Sequence, residues 1–230
     1  MSDETDSKDA TRKSSDSLVP VSGQSAARRA DDLVRRCLNL ILAEKASPLE
    51  QDQAENIRKH RLAAEQGVIL AQFKLGAMFL IGQGTPKDYV EASHWLRKAA
   101  EQGHAEAQDL LARMYAHGQG VLKDYDRARH WFLRAASQRY VPAQNSLGWI
   151  YRNGLGVQQD YTEALRWYRL AAEQGYADAQ TNLGGMYLLG LAVPKDYAEA
   201  LRWFHLAAAQ GDATAQYCLG DMCAQGKGVP

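Results

Sequence analysis

The sequence predicts an all-α chain, a solenoid of antiparallel helix pairs, and three observations carry that reading. An Asp-Tyr pair recurs at Asp88-Tyr89, Asp124-Tyr125, Asp160-Tyr161 and Asp196-Tyr197, always 36 residues apart. A fixed period of this length is the signature of a repeat array. Each period contains residues at i, i+4 and i+8 that share one buried helical face. A glycine-bearing break then separates that stretch from a second one, so each period supplies two helices.

Composition narrows the function before any motif is read. The chain has 230 residues with 27 basic and 27 acidic side chains, a formal net charge of zero. That balance gives no electrostatic footprint for DNA or RNA and no polybasic case for anionic membranes. No run approaches the roughly 18 apolar residues that span a bilayer. Met1 to Ser25 is polar and resembles neither a signal peptide nor a lipoprotein leader. The expectation is a cytoplasmic protein, bacterial in style, with no membrane insertion. The three cysteines, Cys37, Cys218 and Cys223, are odd in number and lack CxxC spacing, so neither a disulfide framework nor a zinc site is expected. Cys218 and Cys223 stand five apart on a predicted helix, which points them about 140° apart.

Residues 1–24, rich in Asp, Ser, Thr and Lys, are expected to be a disordered tail. A helix is expected over 26–45, where Leu33, Val34, Cys37, Leu38, Ile41 and Leu42 make an apolar stripe. Ser47-Pro48-Leu49-Glu50 supplies an N-cap, a proline at the first helical position and an acceptor at the third, so a second helix should run over 48–66. It ends at Ala63-Ala64-Glu65-Gln66-Gly67, with Gly67 as a left-handed stop. The same stop returns at Ala99–Gly103 and Ala171–Gly175. Residues 25–67 therefore read as a diverged capping helix pair, and 68–230 as the array: four full repeats and a terminal first helix.

In each repeat the first helix, helix A, opens with Ala-Gln at 71–72, 107–108, 143–144, 179–180 and 215–216. Four residues after the Ala stands Leu75, Leu111, Leu147, Leu183 or Leu219, followed by a small residue: Gly76, Ala112, Gly148, Gly184 or Gly220. The small residue lets a neighbouring helix approach. A Phe, Tyr or Cys follows at 79, 115, 151, 187 and 223. Gly-x-Gly then recurs at 82–84, 118–120, 154–156 and 226–228, with Gly190 and Ala192 in the fourth copy. It has no preceding strand and no Lys-Ser/Thr, so it reads as a helix stop and not a phosphate loop. Helix B opens at the Asp of Asp-Tyr. Glu91, Glu163 and Glu199 stand three residues on, at capping-box spacing, and Arg127 breaks the pattern in the second copy. Trp95, Trp131, Trp167 and Trp203 share one phase and are expected as wedges between helix pairs.

The pattern resembles the Sel-one-like repeat family, helical solenoids related in shape to tetratricopeptide repeats. The carrying residues are, in one copy, Ala143-Gln144, Leu147-Gly148, Tyr151, Gly154, Gly156-Val157, Asp160-Tyr161, Ala164, Trp167-Tyr168, Ala171-Ala172 and Gly175. The resemblance covers about residues 63–230. It implies an antiparallel helix pair per repeat, a right-handed superhelix, and an adaptor or scaffold role. Some relatives are cysteine-rich, secreted and linked to β-lactam binding. This sequence lacks their paired cysteines, so that activity is not carried over. Others serve as immunity or accessory proteins for secreted toxins.

Removing the repeat-defining residues leaves those two, six and nine after the opening Ala as expected exposed positions. They include Phe73, Asp109 and Arg113, then Asn145, Trp149 and Arg152, then Thr181, Leu188 and Tyr217. Spacing of i, i+4, i+7 puts the three positions of any one repeat on one face, expected to line the concave groove and hold a protein or peptide partner. Trp149 and Arg152 are the expected anchors, because Trp and Arg are enriched at binding hot spots; the competing reading is local packing of Trp149 under an arginine. On the outer helix, His94, His130, Arg166 and Arg202 share one phase and read as a solvated basic ridge, without the third ligand of a metal site. No catalytic motif, cofactor fingerprint or P-loop occurs. The function expected is non-catalytic partner binding. The alternatives are a toxin-neutralising immunity protein and, less favoured, a hydrolase of β-lactam or cell-wall substrates. The chain stops where the next Asp-Tyr would begin. That leaves two readings open: a fragment of a longer array, which is preferred, or self-association through the uncapped C-terminal helix.

Overall fold

The computed structural model describes residues 50–228. The expected tail over 1–24, the helix over 26–45 and Cys37 lie outside the described residues. Ten helices and no strand occur among the described residues: α1 Glu50–Glu65, α2 Ile69–Ile81, α3 Tyr89–Glu101, α4 Ala105–His117, α5 Tyr125–Ser137, α6 Val141–Asn153, α7 Tyr161–Glu173, α8 Ala177–Leu189, α9 Tyr197–Ala209 and α10 Ala213–Ala224. Helix A is α2, α4, α6, α8 and α10; helix B is α3, α5, α7 and α9. Each helix packs on the one before and the one after it, so the chain is an α-solenoid of 36-residue helix pairs.

The ends of the helices follow from local chemistry. Each helix A stops at a left-handed glycine, Gly82, Gly118, Gly154 or Gly190, except α10, which ends on Gln225. Each helix B starts on an Asp whose carboxylate accepts from amides of the first turn, as Asp88 does from Val90 and Glu91 at 2.9 and 3.0 Å. The reciprocal half of the expected capping box is not made. The Asp amides donate instead to the aromatic residue of helix A, Asp88 to the Phe79 carbonyl and Asp124 to that of Tyr115, at 3.0 and 2.9 Å. Glu91 therefore turns to the Trp95 indole, 3.0 Å away, while Glu163 and Glu199 pair with Arg166 and Arg202.

Within a repeat, helix B drives one large side chain into the small residue of helix A. A Cβ on Gly148 would lie 2.5 Å from a ring carbon of Tyr168, and those on Gly76 and Gly184 would lie 2.8 Å from Leu96 and Phe204. In the second copy Ala112 and Phe132 occupy the same places, both buried. The glutamines of the first four Ala-Gln pairs, Gln72, Gln108, Gln144 and Gln180, are buried, and they tie the helices together. Gln72, Gln108 and Gln180 donate to the carbonyls of Ala64, Ala100 and Ala172 in the preceding helix, α1, α3 and α7 respectively. Gln72, Gln108, Gln144 and Gln180 each accept from the glutamine that closes their own helix B, Gln102, Gln138, Gln174 and Gln210, at 2.6 to 2.8 Å. The sequence motif is thus a polar interlock repeated along the core, and buried amides satisfied in this way cost little.

Trp95 and Trp203 are buried, and Trp131 and Trp167 half-buried. The wedge role holds with an addition: a cation covers each outer ring face. Cys218 is buried and Cys223 exposed; burial pushes the Cys218 thiol up to about 11.

Candidate functional site

The expected binding face is helix A, and the structure rotates it. Phe73 and Asp109 are 1% exposed, and Thr181 and Leu188 are 7% and 8% exposed, so these four are not on the surface. Arg113, Asn145, Trp149 and Arg152 are half-buried, and Tyr217 is exposed. The reason is that positions two and nine after the opening Ala lean toward the next repeat. Phe73 stacks on His104 with ring centroids 4.3 Å apart, and the Thr181 hydroxyl donates to Asp212 at 3.1 Å; His104 and Asp212 are the residues that cap the next helix A. Helix A side chains that keep surface include Glu106 one before the Ala, Lys74 and Asn182 three after it, Arg113 and Trp149 six after it, and Asn153 ten after it. One residue of offset turns a helical face by about 100°; the sixth position belongs to both sets.

Arg113, Asp109, Asn145 and Thr181, polar members of the expected site, are engaged in hydrogen bonds within the protein. Arg113 donates through Nε to Asp109 at 2.7 Å and through Nη2 to Ser146 on α6 at 3.3 Å. The Ser146 hydroxyl in turn donates to the Pro142 carbonyl at 3.0 Å. Burial works against the Arg113 charge, but the adjacent Asp109 carboxylate outweighs it and raises the guanidinium pKa. Asn182 on α8 donates to Asn145 on α6 at 2.9 Å. Side chains from three consecutive joints, α4–α6, α6–α8 and α8–α10, are therefore hydrogen-bonded across helix A. Asp109, Asn145 and Thr181 serve cohesion between repeats.

Trp149 differs from these. It is half-buried and tilts against Tyr125, with ring centroids 6.4 Å apart, and it sits at a phase where other copies carry Ala77, Arg113, Gly185 and Asp221. Both sequence readings meet here, since one part of the indole packs and the rest remains on the helix A face. Arg152 lies one turn further along α6. Tyr168, driven against Gly148, is fully buried, and burial pushes its phenol well up against the opposing pull of Arg152.

The outer ridge carries a feature that the sequence reading missed. In the first two repeats the cation over the Trp ring comes from three residues after it, Lys98 at 4.5 Å and Arg134 at 5.0 Å. In the next two it comes from the residue before, Arg166 at 4.4 Å and Arg202 at 5.0 Å. Leu170 and Leu206 then take the vacated position and are exposed. His94 and His130 stand edge-on to their tryptophans. The signal was available as a paired exchange of residue types at two phases. Among the described residues no group of three His, Cys, Asp or Glu is placed to hold a metal ion, and no helix is long and apolar enough to cross a membrane.

Comparison with known proteins agrees with this architecture. The Sel1 repeat family model matches residues 69–104, 105–140, 141–176, 177–212 and 213–230. No curated protein matches. Among solved structures, a Sel1 repeat protein from Oxalobacter formigenes is 38% identical with a TM-score of 0.68, over 72% of this chain and 66% of that one. The protective antigen c5321 of uropathogenic Escherichia coli, which displays an SLR fold, is 35% identical with a TM-score of 0.72, over 89% of this chain and 42% of that one. The immunity protein Pa5087 from Pseudomonas aeruginosa, 24% identical with a TM-score of 0.50 over 81% of this chain and 68% of that one, shares the fold. The chain thus spans just under two thirds of the Oxalobacter protein and less than half of c5321. Five consecutive matched units, with caps, knobs and glutamine ties at the matched phases, make the chain a member of the Sel1 repeat family.

Proposed function

We propose that the chain is a non-catalytic binding module that holds a peptide or helix of a partner protein against its helix A face, with Trp149 as the anchor. Trp149 carries the reading: a large aromatic side chain, backed by Tyr125, keeps surface at a phase that packing leaves free to vary. An indole fixed from behind loses little entropy when a partner covers its open part, which is the behaviour of a hot spot. Arg113 is held by the buried Asp109, so it offers a fixed polar rim and not a free charge. Arg152, one turn further along α6, adds a polar contact beside the indole. The bacterial sources of the similar structures support a bacterial setting.

The test is affinity capture with mass spectrometry from the native organism, using the tagged chain and the double variant Trp149→Ala, Arg152→Ala. The partner is expected to be lost from the variant while circular dichroism stays helical. Retention of the same partner at the same yield rejects the assignment of binding to this face.

A further inference from the structure

Tyr168 and Arg152 are polar at two positions that are apolar and buried in the other full repeats. The large residue that helix B sets against helix A is elsewhere Leu96, Phe132 or Phe204, and the residue nine after the opening Ala is elsewhere Leu80, Ala116 or Leu188. Both exceptions fall in one repeat, and they meet. The Tyr168 ring packs against Gly148, and Arg152 stands four residues beyond that glycine on the same face of α6. The Tyr168 hydroxyl lies beside the Arg152 guanidinium, but it is buried with no hydrogen-bond partner among the described residues. A buried hydroxyl left unpaired is destabilising, and the Phe of two other repeats avoids that cost. The Arg152 charge is open as well. Arg113, Arg127, Arg129, Arg166 and Arg202 each pair with a carboxylate three or four residues away, whereas no carboxylate of the described residues pairs with the half-buried Arg152. There is also room. Gly185 holds the Trp149 phase in the next repeat, and a Cβ there would meet nothing within 4 Å.

We infer that Arg152 and Tyr168 form a subsite of the helix A face that receives the side-chain carboxylate of a Glu or Asp in a partner peptide. The inference rests on the proposed use of that face and adds the chemistry of the partner. Both groups donate. The guanidinium supplies the charge and a fork of N–H groups matched to a carboxylate. The phenol supplies the O–H that the fold leaves unpaired. Arg152 turns from the phenol toward the incoming carboxylate, one oxygen of which accepts the Tyr168 O–H. An apolar residue close to the acid in the peptide covers Trp149, one turn before Arg152. The internal pair of Arg113 with Asp109 leaves Arg152 as the charge that selects an acid on this part of the face.

The test is selection on the immobilised full chain from a random short-peptide library fused at its C-terminal end, so that no peptide has a free terminal carboxylate. Selected sequences are expected to carry Glu or Asp near an apolar residue, and this acidic preference is expected to vanish on Arg152→Gln. Fluorescence anisotropy then measures the best peptide. It is expected to bind Tyr168→Phe about tenfold more weakly, the loss of one hydrogen bond to a charged group, while its counterpart with Gln for Glu binds both proteins alike. Tyr168→Phe places at this phase the residue that Phe132 and Phe204 already are, so the helical spectrum should be kept. Selection of apolar peptides without an acid overturns the inference and leaves the Trp149 reading standing. An acidic preference that persists on Arg152→Gln overturns it, as does equal binding of the acidic peptide by Tyr168→Phe. Acidic peptides lost on Arg152→Gln but bound unchanged by Trp149→Ala uphold the subsite and reject the anchor. A library that yields no enriched sequence overturns both.

Discussion

The joint between α6 and α7 and the bare stripe of α10 place the same residue type at the same phase in opposite surroundings. Gly148 lies under the Tyr168 ring, whereas Gly220 faces open space. Two residues after the opening Ala, Phe73 is 1% exposed against His104, whereas Tyr217 is 60% exposed. A repeat position therefore has no energetic value of its own. Its value comes from the neighbour that the next helix brings, as expected where stability is a sum of units and nearest-neighbour interfaces.

The largest effect separating the two regions is expected from the aromatic pair. Phe73→Ala should cost about 3–5 kcal/mol, as for other buried Phe truncations, and Tyr217→Ala should stay within about 0.5 kcal/mol; urea denaturation followed by circular dichroism reads both. Equal losses would mean that the outer face of α10 is closed like the others. The glycines sharpen the comparison because their signs differ. In Gly148→Ala, overpacking of about 1–3 kcal/mol exceeds the helix gain of about 0.5–1 kcal/mol, so stability should fall. In Gly220→Ala only the gain remains, and the melting temperature should rise. A shift of the same sign in both variants breaks the comparison.

The turn at Arg139 offers a smaller effect. Gly67, Gly103, Gly175 and Gly211 follow the last glutamine of their helices with φ of 86°, 95°, 84° and 85°, and Arg139 holds that place with φ 63°. A side chain in the left-handed region costs about 1–2 kcal/mol, so Arg139→Gly should stabilise by about 1 kcal/mol after the added freedom of the unfolded chain is counted. An unchanged melting temperature would show that the Arg139 side chain compensates elsewhere.

The smallest effect concerns caps at two joints. His104 Nδ1 accepts from the Ala107 amide at 3.3 Å, where Asp212 accepts from Ala215 at 2.7 Å. Accepting requires neutral imidazole, and burial lowers the His104 pKa below its ordinary 6.5, against the opposing pull of Glu106. The sign follows: this cap's contribution is complete above pH 6.5 and is lost as pH falls toward the lowered folded value. Melting temperatures between pH 7.5 and 5 should fall more for the natural chain than for His104→Asp. Parallel curves would remove His104 from the account.

The repeat length, helix pairs, glycine stops and Asp caps were legible because each is local: periodicity and turn chemistry act within a few residues. The small residue before each knob was legible as well, since Gly76, Gly148 and Gly184 recur at one phase. The binding face was only half legible. Periodicity tells which residues share a face and not where that face points, so Phe73, Asp109, Thr181 and Leu188 were assigned to the surface, although the next repeat covers them. The glutamine ties and the cation over each helix B tryptophan join residues 30 apart or trade between two phases, and a single period does not display them. The capping box failed because the Asp88 amide is already taken by the Phe79 carbonyl, a contact outside the helix that carries the motif.

Side-chain footprinting by hydroxyl radicals, with and without the captured partner, tests the proposed use of helix A most directly. Trp149 should be protected in the complex while the outer ridge residues Leu170 and Leu206, exposed in the free chain, react unchanged. Protection of Leu170 and Leu206 with Trp149 unaffected would contradict the assignment and move the binding surface to the outer helices.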